Sequence, residues 1–481
     1  MIKNIHRIIG LLCLIIWIDC EGSDYRALIE NGEFKKAEEM IRRELFSNPS
    51  FSVSERRTLE FELERMKRIR LDFNKSQAEV IEYIKQYVPD VTPTDLVRWE
   101  SEKSLEYLVI DGEKMYFKDA APNLFRLDPT LKAVKQKVDS QKLTDSKREP
   151  AFDLDSHCRK IVQAVQTTQK STVLPVRMKI KQSLTVNPNV VPEGEIIRCW
   201  IPFPREIPDR QVNIRLLKTD PPIYILANTD QTLQRTIYFE KAAVKDSTTH
   251  FSVEYTYEIY GSYTPVKAEK VIPVEPNPDL KPFLSEEPPH IVFTDEIRQL
   301  SQKIVGSETN PYRIAQKLFE WIDVNIVWAS AREYSTIYNI PQYVINNRHG
   351  DCGMMVLTFI TLCRLNGIPA RWQSGWEFKP PQDSMHDWGE IYLAPYGWVP
   401  MDVTYGRRAT TDESFRWFYL SGMDSYRLIF NDGMAADFYP LKIYPRSETI
   451  DSQRGEVEWE GGNLYFDQWN WEHDWEIISE P

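Results

Sequence analysis

The sequence predicts a multidomain α+β protein: a helical N-terminal module, an antiparallel β-sandwich, and an α+β core that ends in further β-strands. Its 481 residues exceed what one hydrophobic core usually accommodates, so about two to four domains are expected. Apolar residues recur at helical spacing in 23–90, alternate with polar residues in 172–263, and return to helical spacing after 290. Two changes of period along one chain indicate separate structural units.

Composition and charge narrow the class of protein. The chain is 42% hydrophobic and 27% charged, which is typical of globular rather than disordered proteins. Its 59 Lys and Arg residues against 71 Asp and Glu residues give a formal net charge of −12. Because this balance is acidic, we expect neither nucleic acid nor an anionic membrane surface as a partner.

Residues 1–22 resemble a cleavable signal peptide. Lys3 and Arg7 precede an uncharged apolar run at 8–18, which is too short to span a bilayer as a helix. We therefore expect an exported protein, whether periplasmic, cell-surface or secreted. In the alternative of a lipoprotein, Cys20 would carry the lipid, and a membrane becomes a partner only in that case.

Residues 23–150 are expected to form the N-terminal module. Apolar residues such as Phe34, Ala37 and Ile41 fall on one helical face. Farther on, the Asp111-Gly112 dipeptide separates two short strand-like runs, which predicts a β-hairpin. The end of the module, about 127–150, is charged and weakly patterned, so it is expected to be a linker or an exposed helix.

Strict alternation predicts the sandwich at 172–263. Its clearest example is a run of five alternating apolar residues: Phe251, Val253, Tyr255, Tyr257 and Ile259. The next segment, 264–289, is predicted to be an extended linker because it is rich in proline. These prolines are Pro265, Pro273, Pro276, Pro278, Pro282, Pro288 and Pro289.

An α+β core is predicted at 290–440. Thr294 can cap a helix that runs to Val305, and Pro311 can begin the next. The apolar stretch 352–366 predicts a buried helix that starts at a cysteine. Strand-like runs follow at 370–376, 388–393 and 398–403, and 441–481 is expected to add strands that pack on this core.

Three residues in this core form a chemical constellation. Cys352 is followed after 34 residues by His386, and His386 after 16 residues by Asp402. A thiol nucleophile, its general base and the residue that orients the base have these identities. A helix N-terminus lowers the pKa of a thiol, so the predicted position of Cys352 favours the reactive thiolate. No Cys-x-x-Cys pair or acidic calcium loop occurs, so we expect no metal and no cofactor.

The motifs around these residues resemble the transglutaminase-like superfamily, which has the papain-like fold and a Cys-His-Asp triad. The resemblance covers about 290–406. It rests on Gly350-Asp351-Cys352-Gly353, on Gly367-Ile368-Pro369-Ala370-Arg371, on His386 with Trp388 and Glu390, and on Gly397-Trp398-Val399-Pro400-Met401-Asp402-Val403-Thr404. It implies that Cys352 attacks a carboxamide carbon, that His386 transfers the proton and that Asp402 holds the imidazole.

The resemblance also implies an oxyanion site made by the Cys352 backbone N–H and an upstream donor. Trp328 is the candidate donor, and a core aromatic without a catalytic role is the alternative. Asp387 departs from the small residue that often follows the histidine in this family. It is expected to be a solvated loop charge, or else to alter the histidine pKa or meet a cationic group on the substrate.

The leading functional hypothesis is an exported cysteine peptidase or amidase that acts on peptide or carboxamide bonds of a peptide or protein substrate. A protein-glutamine transglutaminase, which passes the acyl group to an amine, is the alternative enzyme. A non-catalytic surface or scaffold protein is the alternative of another class. The aromatic tail 469–475 could bind a polymer in that case, or it could be an edge strand on the core.

Overall fold

A computed structural model describes residues 25–142, 152–275 and 277–479. The signal peptide expected at 1–22, including Cys20, lies outside the described residues. Helices and β-sheets are both abundant and are grouped in successive regions of the chain. The predicted fold class, a multidomain α+β protein, is therefore confirmed.

The N-terminal module is mainly helical and has a hydrophobic core of its own. Its elements are α1 (Tyr25–Glu30), α2 (Phe34–Ser47), α3 (Val53–Asp72), α4 (Gln77–Lys85), α5 (Pro93–Ser101), β1 (Tyr107–Ile110), β2 (Glu113–Tyr116), α6 (Ala120–Leu127) and α7 (Pro129–Lys142). Asp111 and Gly112 both have positive φ and join β1 to β2, so the predicted hairpin is confirmed. The weakly patterned segment near 127–150 contributes α7.

The sandwich follows α8 (Leu154–Thr168). Its strands within the predicted region are β3 (Thr172–Val186), β4 (Ile196–Pro202), β5 (Gln211–Asp220), β6 (Ile225–Leu226), β7 (Thr236–Ala242) and β8 (Thr249–Tyr263). The five alternating residues from Phe251 to Ile259 are all buried, at 1% exposure or less. Alternation therefore identified the inward face of β8, since successive side chains of a strand point to opposite faces.

The α+β core begins after two short 3₁₀ helices in the proline-rich segment, Ala268–Lys270 and Lys281–Leu284. Its elements are α9 (Asp295–Val305), α10 (Pro311–Asn325), β9 (Val327–Trp328), α11 (Ile340–Asn347), β10 (His349–Gly350), α12 (Cys352–Leu365), β11 (Ala370–Lys379), β12 (Gln382–Leu393), β13 (Gly397–Met401), α13 (Glu413–Arg416), α14 (Phe418–Ser421), β14 (Gly422–Met423) and β15 (Arg427–Asn431). Thr294 caps α9 through the N–H of Ile297, as predicted.

A four-stranded antiparallel sheet, in the order β13-β12-β11-β15, supports this core. The helix α12 packs on β11 and β12, and all its residues from Gly353 to Arg364 are buried. The predicted buried helix that starts at Cys352 is therefore confirmed. A helix that is apolar on every side can only lie inside the protein, and here its first residue is the one that reaches the edge of a cavity.

The C-terminal strands β16 (Glu456–Trp459), β17 (Gly462–Leu464) and β18 (Trp469–Ser479) were expected on the core, but they hydrogen-bond into the sandwich. β18 pairs with β3, and β16 pairs with β4. The sandwich thus consists of two five-stranded sheets, one containing β14, β8, β3, β18 and β5, the other β17, β16, β4, β7 and β6.

The aromatic tail joins the sandwich to the core. The ring of Trp471 contacts Trp376, and that of Trp475 contacts Phe378, both on β11. The tail is therefore an edge strand whose side chains pack on the core, the second of the two arrangements expected for it. One continuous hydrophobic cluster extends from sandwich to core, which makes these two regions a single packed body.

Of the helices in the described residues, none combines the length and the apolar character that crossing a bilayer requires.

Candidate active site

Cys352 is the first residue of α12. The side chain of Asp351 caps this helix by accepting a hydrogen bond from the Met354 N–H at 3.0 Å. The helix N-terminus was expected to lower the pKa of the thiol. Burial instead raises the pKa of Cys352 well above its ordinary value, and the negative charges of Asp387 and Asp351 raise it further. The thiol is therefore protonated in this resting arrangement.

A cavity of about 220 Å³ opens beside Cys352. One wall comes from the segment before α11, with Trp328 and Tyr334, and the opposite wall comes from 447–454. Met385 and Asp387 of β12 complete the lining. The cavity brings together residues from three distant parts of the chain, so its shape depends on tertiary packing.

His386 and Asp402 are in direct contact. The Nε2 atom of His386 lies 2.7 Å from Oδ2 of Asp402, and both side chains are buried. Asp402 follows β13, which pairs with β12 so that Met401 lies opposite Gly389. The expected contact between His386 and Asp402 is thus present, and it engages Nε2 rather than Nδ1 of the imidazole.

Arg427 and Glu377 surround this pair. Nη1 of Arg427 lies 2.9 Å from Oδ2 of Asp402, and Oε2 of Glu377 lies 3.7 Å from Nε2 of His386. Burial alone would raise the pKa of Glu377, but His386 and Arg427 more than offset this, so its pKa falls to about 2. The histidine therefore lies among buried, ionised groups that hold it in place.

The strand-like run predicted at 388–393 is only the second half of β12. The β11–β12 hairpin extends to the pair Lys379 and Gln382, so His386 is the fifth residue of β12 and is buried. Side chains alternate along a strand. Met385 and Asp387 accordingly line the cavity, whereas the intervening His386 contacts Asp402.

In the structure, Cys352, His386 and Asp402 therefore take part in two different contacts. His386 is joined to Asp402, whereas Sγ of Cys352 hydrogen-bonds Oδ2 of Asp387 at 3.4 Å and, among the described residues, not His386. Trp328 lines the same cavity as Cys352 and is 43% exposed, so it is not a core aromatic. Its strand pairs in parallel with β10, which places Trp328 opposite Gly350 and close to the start of α12.

Asp387 is the main surprise of the site. The expectation of a solvated loop charge is wrong, because this residue lies within β12 and is 3% exposed. Its Oδ1 accepts a hydrogen bond from Gln453 at 2.9 Å, and the Tyr334 hydroxyl lies 3.4 Å from its Oδ2. Burial raises the pKa of Asp387 well above its ordinary value, and the nearby charges of Asp451 and Asp351 raise it further.

Gly353 allows this arrangement at the helix start. A Cβ atom there would lie 2.1 Å from the Tyr334 hydroxyl and 2.6 Å from Oδ2 of Asp387. In the structure, the space is filled by the protein's own tyrosine and carboxylate.

Sequence reasoning missed Arg427, Glu377, Tyr334 and Gln453. Glu377 lies opposite Ser384 on the neighbouring strand, so a longer prediction of the β11–β12 hairpin would have brought it close to His386. Arg427 and Gln453 lie 25 and 66 residues after the residues they contact, and no local pattern marks them.

Residues 298–403 match the sequence model of the transglutaminase-like superfamily. An uncharacterized protein of Haemophilus influenzae is 25% identical over 168 residues, which is 29% of this chain and 43% of that protein. The uncharacterized protein YebA of Bacillus subtilis is 22% identical over 130 residues, which is 23% of this chain and 18% of YebA. The chain thus spans less than half the length of either of these curated relatives.

Two solved structures show a weak similarity to this chain at low identity. A structure named as a "putative cysteine protease" from Cytophaga hutchinsonii is 16% identical, covers 64% of this chain and 92% of its own, and has a TM-score of 0.42. The periplasmic domain of TgpA from Pseudomonas aeruginosa is 12% identical, covers 54% and 94%, and has a TM-score of 0.27. With the sequence match, the α12-on-sheet architecture identifies residues 298–403 as a transglutaminase-like domain of the papain-like fold.

Proposed function

We propose that the protein is an exported cysteine peptidase or amidase that cleaves peptide or carboxamide bonds through a thioester at Cys352. The observation that carries this proposal is the buried His386–Asp402 pair within the same transglutaminase-like domain in which Cys352 begins a buried helix at a cavity. A nucleophile, a base and an orienting carboxylate are the groups that acyl transfer requires. Export is supported by the sequence pattern of residues 1–22.

The first half of the reaction forms the thioester. The Cys352 thiol leaves Asp387 and gives its proton to Nδ1 of His386, and the thiolate attacks the carbonyl carbon of the substrate. A carbon–sulfur bond forms while the carbonyl π electrons move to oxygen. The Cys352 backbone N–H and Trp328 are the proposed donors to this oxyanion. Collapse then expels the amine, which takes the proton back from His386.

The second half releases the acid. Water gives a proton to His386 and attacks the thioester, and the Cys352 thiolate leaves and is reprotonated by His386. Asp402 keeps one ring nitrogen engaged throughout, so that the other faces the reacting atoms. Catalytic hydrogen bonds are often long in unliganded enzymes and tighten only with substrate, which is consistent with a thiol that rests on Asp387.

Hydrolysis is proposed over amine transfer because it requires no second substrate site. The two outcomes separate in one experiment. The purified protein is incubated with a library of peptide amides, with and without an added primary amine, and the products are identified by mass spectrometry. Carboxylic acid products support the proposal, whereas amine incorporation in excess of hydrolysis would assign the transglutaminase activity instead.

A thiol-directed probe tests whether the protein is an enzyme at all. Iodoacetamide should label Cys352 in the native protein, and Cys352→Ala should abolish both labelling and turnover. Cys363→Ala is the matched control, because Cys363 lies on the same helix and is fully buried. If the native protein shows neither labelling at Cys352 nor any turnover, the chain has a binding or scaffold role.

A further inference from the structure

The cavity beside Cys352 is strongly acidic. Its lining includes five acidic and two basic residues: Glu333, Asp351, Asp387, Glu448 and Asp451, with Arg332 and Arg454. A cavity with this balance that borders a nucleophile selects among substrates by charge.

Both arginines are already paired. The guanidinium of Arg454 contacts Glu333 at 3.0 Å and Glu448 at 2.7 Å. Arg332 lies 3.6 Å from Glu106, outside the cavity, and donates to the Thr336 carbonyl at 2.9 Å. The charges of Arg454 and Arg446 also act on Asp451, but they do not offset the effect of its burial on its pKa. Among the described residues, neither guanidinium forms an ion pair with the Asp451 carboxylate.

Asp451 is the carboxylate that lacks a partner. It is 6% exposed and lines the cavity, yet among the described residues no other residue forms a hydrogen bond or an ion pair with its carboxylate. Because Asp451 lines the cavity, a ligand bound there can reach its carboxylate. Such a side chain is a site that a ligand can complete.

The ligand that suits this site is a small organic cation. Within the described residues no group of three or more His, Cys, Asp or Glu side chains is arranged to hold a metal ion. The volume of about 220 Å³ is below the range of about 300–1,000 Å³ that is typical of drug-sized ligands. An ammonium is compact and carries three donors, so it can bridge two carboxylates in a cavity of this size.

We propose that this cavity binds a primary ammonium group carried by the substrate, with Asp451 and Asp387 as its counter-charges. The proposal rests on the function proposed above and deepens it by naming the substrate class: peptides or amides that carry an ammonium near the scissile carbonyl. Asp387 then turns from the Cys352 thiol to the ammonium, which frees the thiol for His386.

The pKa of Asp451 is consistent with an ammonium site. Burial raises the pKa of Asp451 to about 8, and the charge of Glu448 contributes to the increase. An arriving ammonium stabilises the ionised carboxylate, so binding at neutral pH releases a proton to solvent. The proton balance of the catalytic steps is unchanged, because this proton comes from Asp451 and not from Cys352.

The activity test uses three peptide amides of one sequence: one with a free α-amino group, one N-acetylated, and one N-acetylated with a lysine beside the scissile bond. We expect kcat/KM to be higher by about tenfold or more for an ammonium-bearing amide than for the neutral one. The comparison of the first and third amides distinguishes an N-terminal from a side-chain ammonium. Asp451→Asn should remove the preference, mainly through KM, whereas the exposed Asp467→Asn should keep it.

A second measurement does not depend on turnover. The rate of Cys352 alkylation by iodoacetamide is measured with added n-butylammonium or with n-butanol, which has a similar shape and no charge. We expect n-butylammonium alone to slow alkylation, because it fills the small cavity through which iodoacetamide reaches Cys352, and this exclusion outweighs the release of the thiol from Asp387. Asp451→Asn should abolish this protection while retaining the native melting temperature. Equal effects of the two additives, or equal protection in Asp451→Asn, would overturn the ammonium site.

The two measurements separate this inference from the proposed function. Turnover without an ammonium preference contradicts the ammonium site and leaves the hydrolase intact. Protection by n-butylammonium without turnover supports the site and contradicts the hydrolase. Formation of an n-butylamide product supports the site but assigns the ammonium to an acceptor amine.

Discussion

The thiol of Cys352 donates a hydrogen bond to Oδ2 of Asp387, at 3.4 Å, so the residue next to His386 holds the nucleophile in the resting protein. His386 itself contacts Asp402 on the other side of β12. A single strand thus presents two acid–base groups to two different environments, because adjacent side chains point in opposite directions.

Asp387→Asn should lower the pKa of the Cys352 thiol, because the charge of Asp387 is one of the causes that raise it. We expect the pH profile of Cys352 alkylation to move to lower pH, which increases the alkylation rate at neutral pH. Asp383→Asn is the matched control, since Asp383 lies on β12 and contacts His473 and Trp475 instead. An unchanged or upward-shifted profile in Asp387→Asn would contradict the assigned role.

Glu377 should contribute to a loss of stability in acid. Its folded-state pKa is depressed to about 2, so its contribution is present above its unfolded value near 4.5 and is lost as the pH falls through 2. We expect the free energy of unfolding to decrease by roughly 3 kcal/mol more between pH 5 and pH 2 in the native protein than in Glu377→Gln. Urea denaturation at a series of pH values measures this, with the exposed Glu472→Gln as the control. Parallel curves for the native protein and Glu377→Gln would refute it.

Arg427→Met should be strongly destabilising. Arg427 is fully buried and contacts Asp402 at 2.9 Å and Asp424 at 2.8 Å, so its removal leaves buried carboxylates without a counter-charge. We expect a loss of about 3–5 kcal/mol in the free energy of unfolding, measured by chemical denaturation. The double variant Arg427→Met with Asp424→Asn should recover part of this loss because it removes one uncompensated carboxylate. A single variant as stable as the native protein would show that these ion pairs are dispensable.

Gly353→Ala should disturb the start of α12, because the added Cβ meets the Tyr334 hydroxyl and the Asp387 carboxylate. We expect a loss of about 1–3 kcal/mol in stability from this overpacking, together with a changed rate of Cys352 alkylation. Adding Tyr334→Phe removes the closest of the clashing atoms and should restore part of the stability. If the double variant is no more stable than Gly353→Ala, the clash is not the cause.

Asn123 connects the N-terminal module to the cavity wall that contains Tyr334. Its side-chain amide donates to the Ser330 carbonyl at 2.8 Å and accepts from the Ser330 N–H at 2.9 Å, four residues before Tyr334. We expect Asn123→Ala to cost about 1–3 kcal/mol, because both backbone groups lose their partner. Hydrogen exchange should increase in 329–338, but not in Asn48→Ala, which alters an exposed turn of the same module. Unchanged exchange would show that the module does not hold this wall.

Local sequence determined a large part of the fold. The capping threonine of α9, the Asp111-Gly112 turn and the alternating residues of β8 each act over a few positions, and each is found where it was predicted. The start of α12 at Cys352 belongs to the same class, because a glycine-flanked polar cap before an apolar run is a local signal.

Contacts across the chain decided the rest. The sequence pattern of the C-terminal strands is compatible with pairing to either the sandwich or the core sheet. In the structure, β18 pairs with the edge of β3. Arg427 and Gln453 reach the site only because β15 and the 447–454 segment fold back onto β11 and β12. Such neighbours depend on strand order and register, which no local period specifies.

The three candidate reactive residues, Cys352, His386 and Asp402, and their order could therefore be proposed from the sequence alone, since each lies in a recognisable local motif. Which of them meet in the resting protein was decided by tertiary structure. The register of β12 turns Asp387 toward Cys352 and His386 toward Asp402, and a shift of one residue would exchange their faces. That geometric choice adds the charge of Asp387 to burial as a cause of the raised pKa of the thiol.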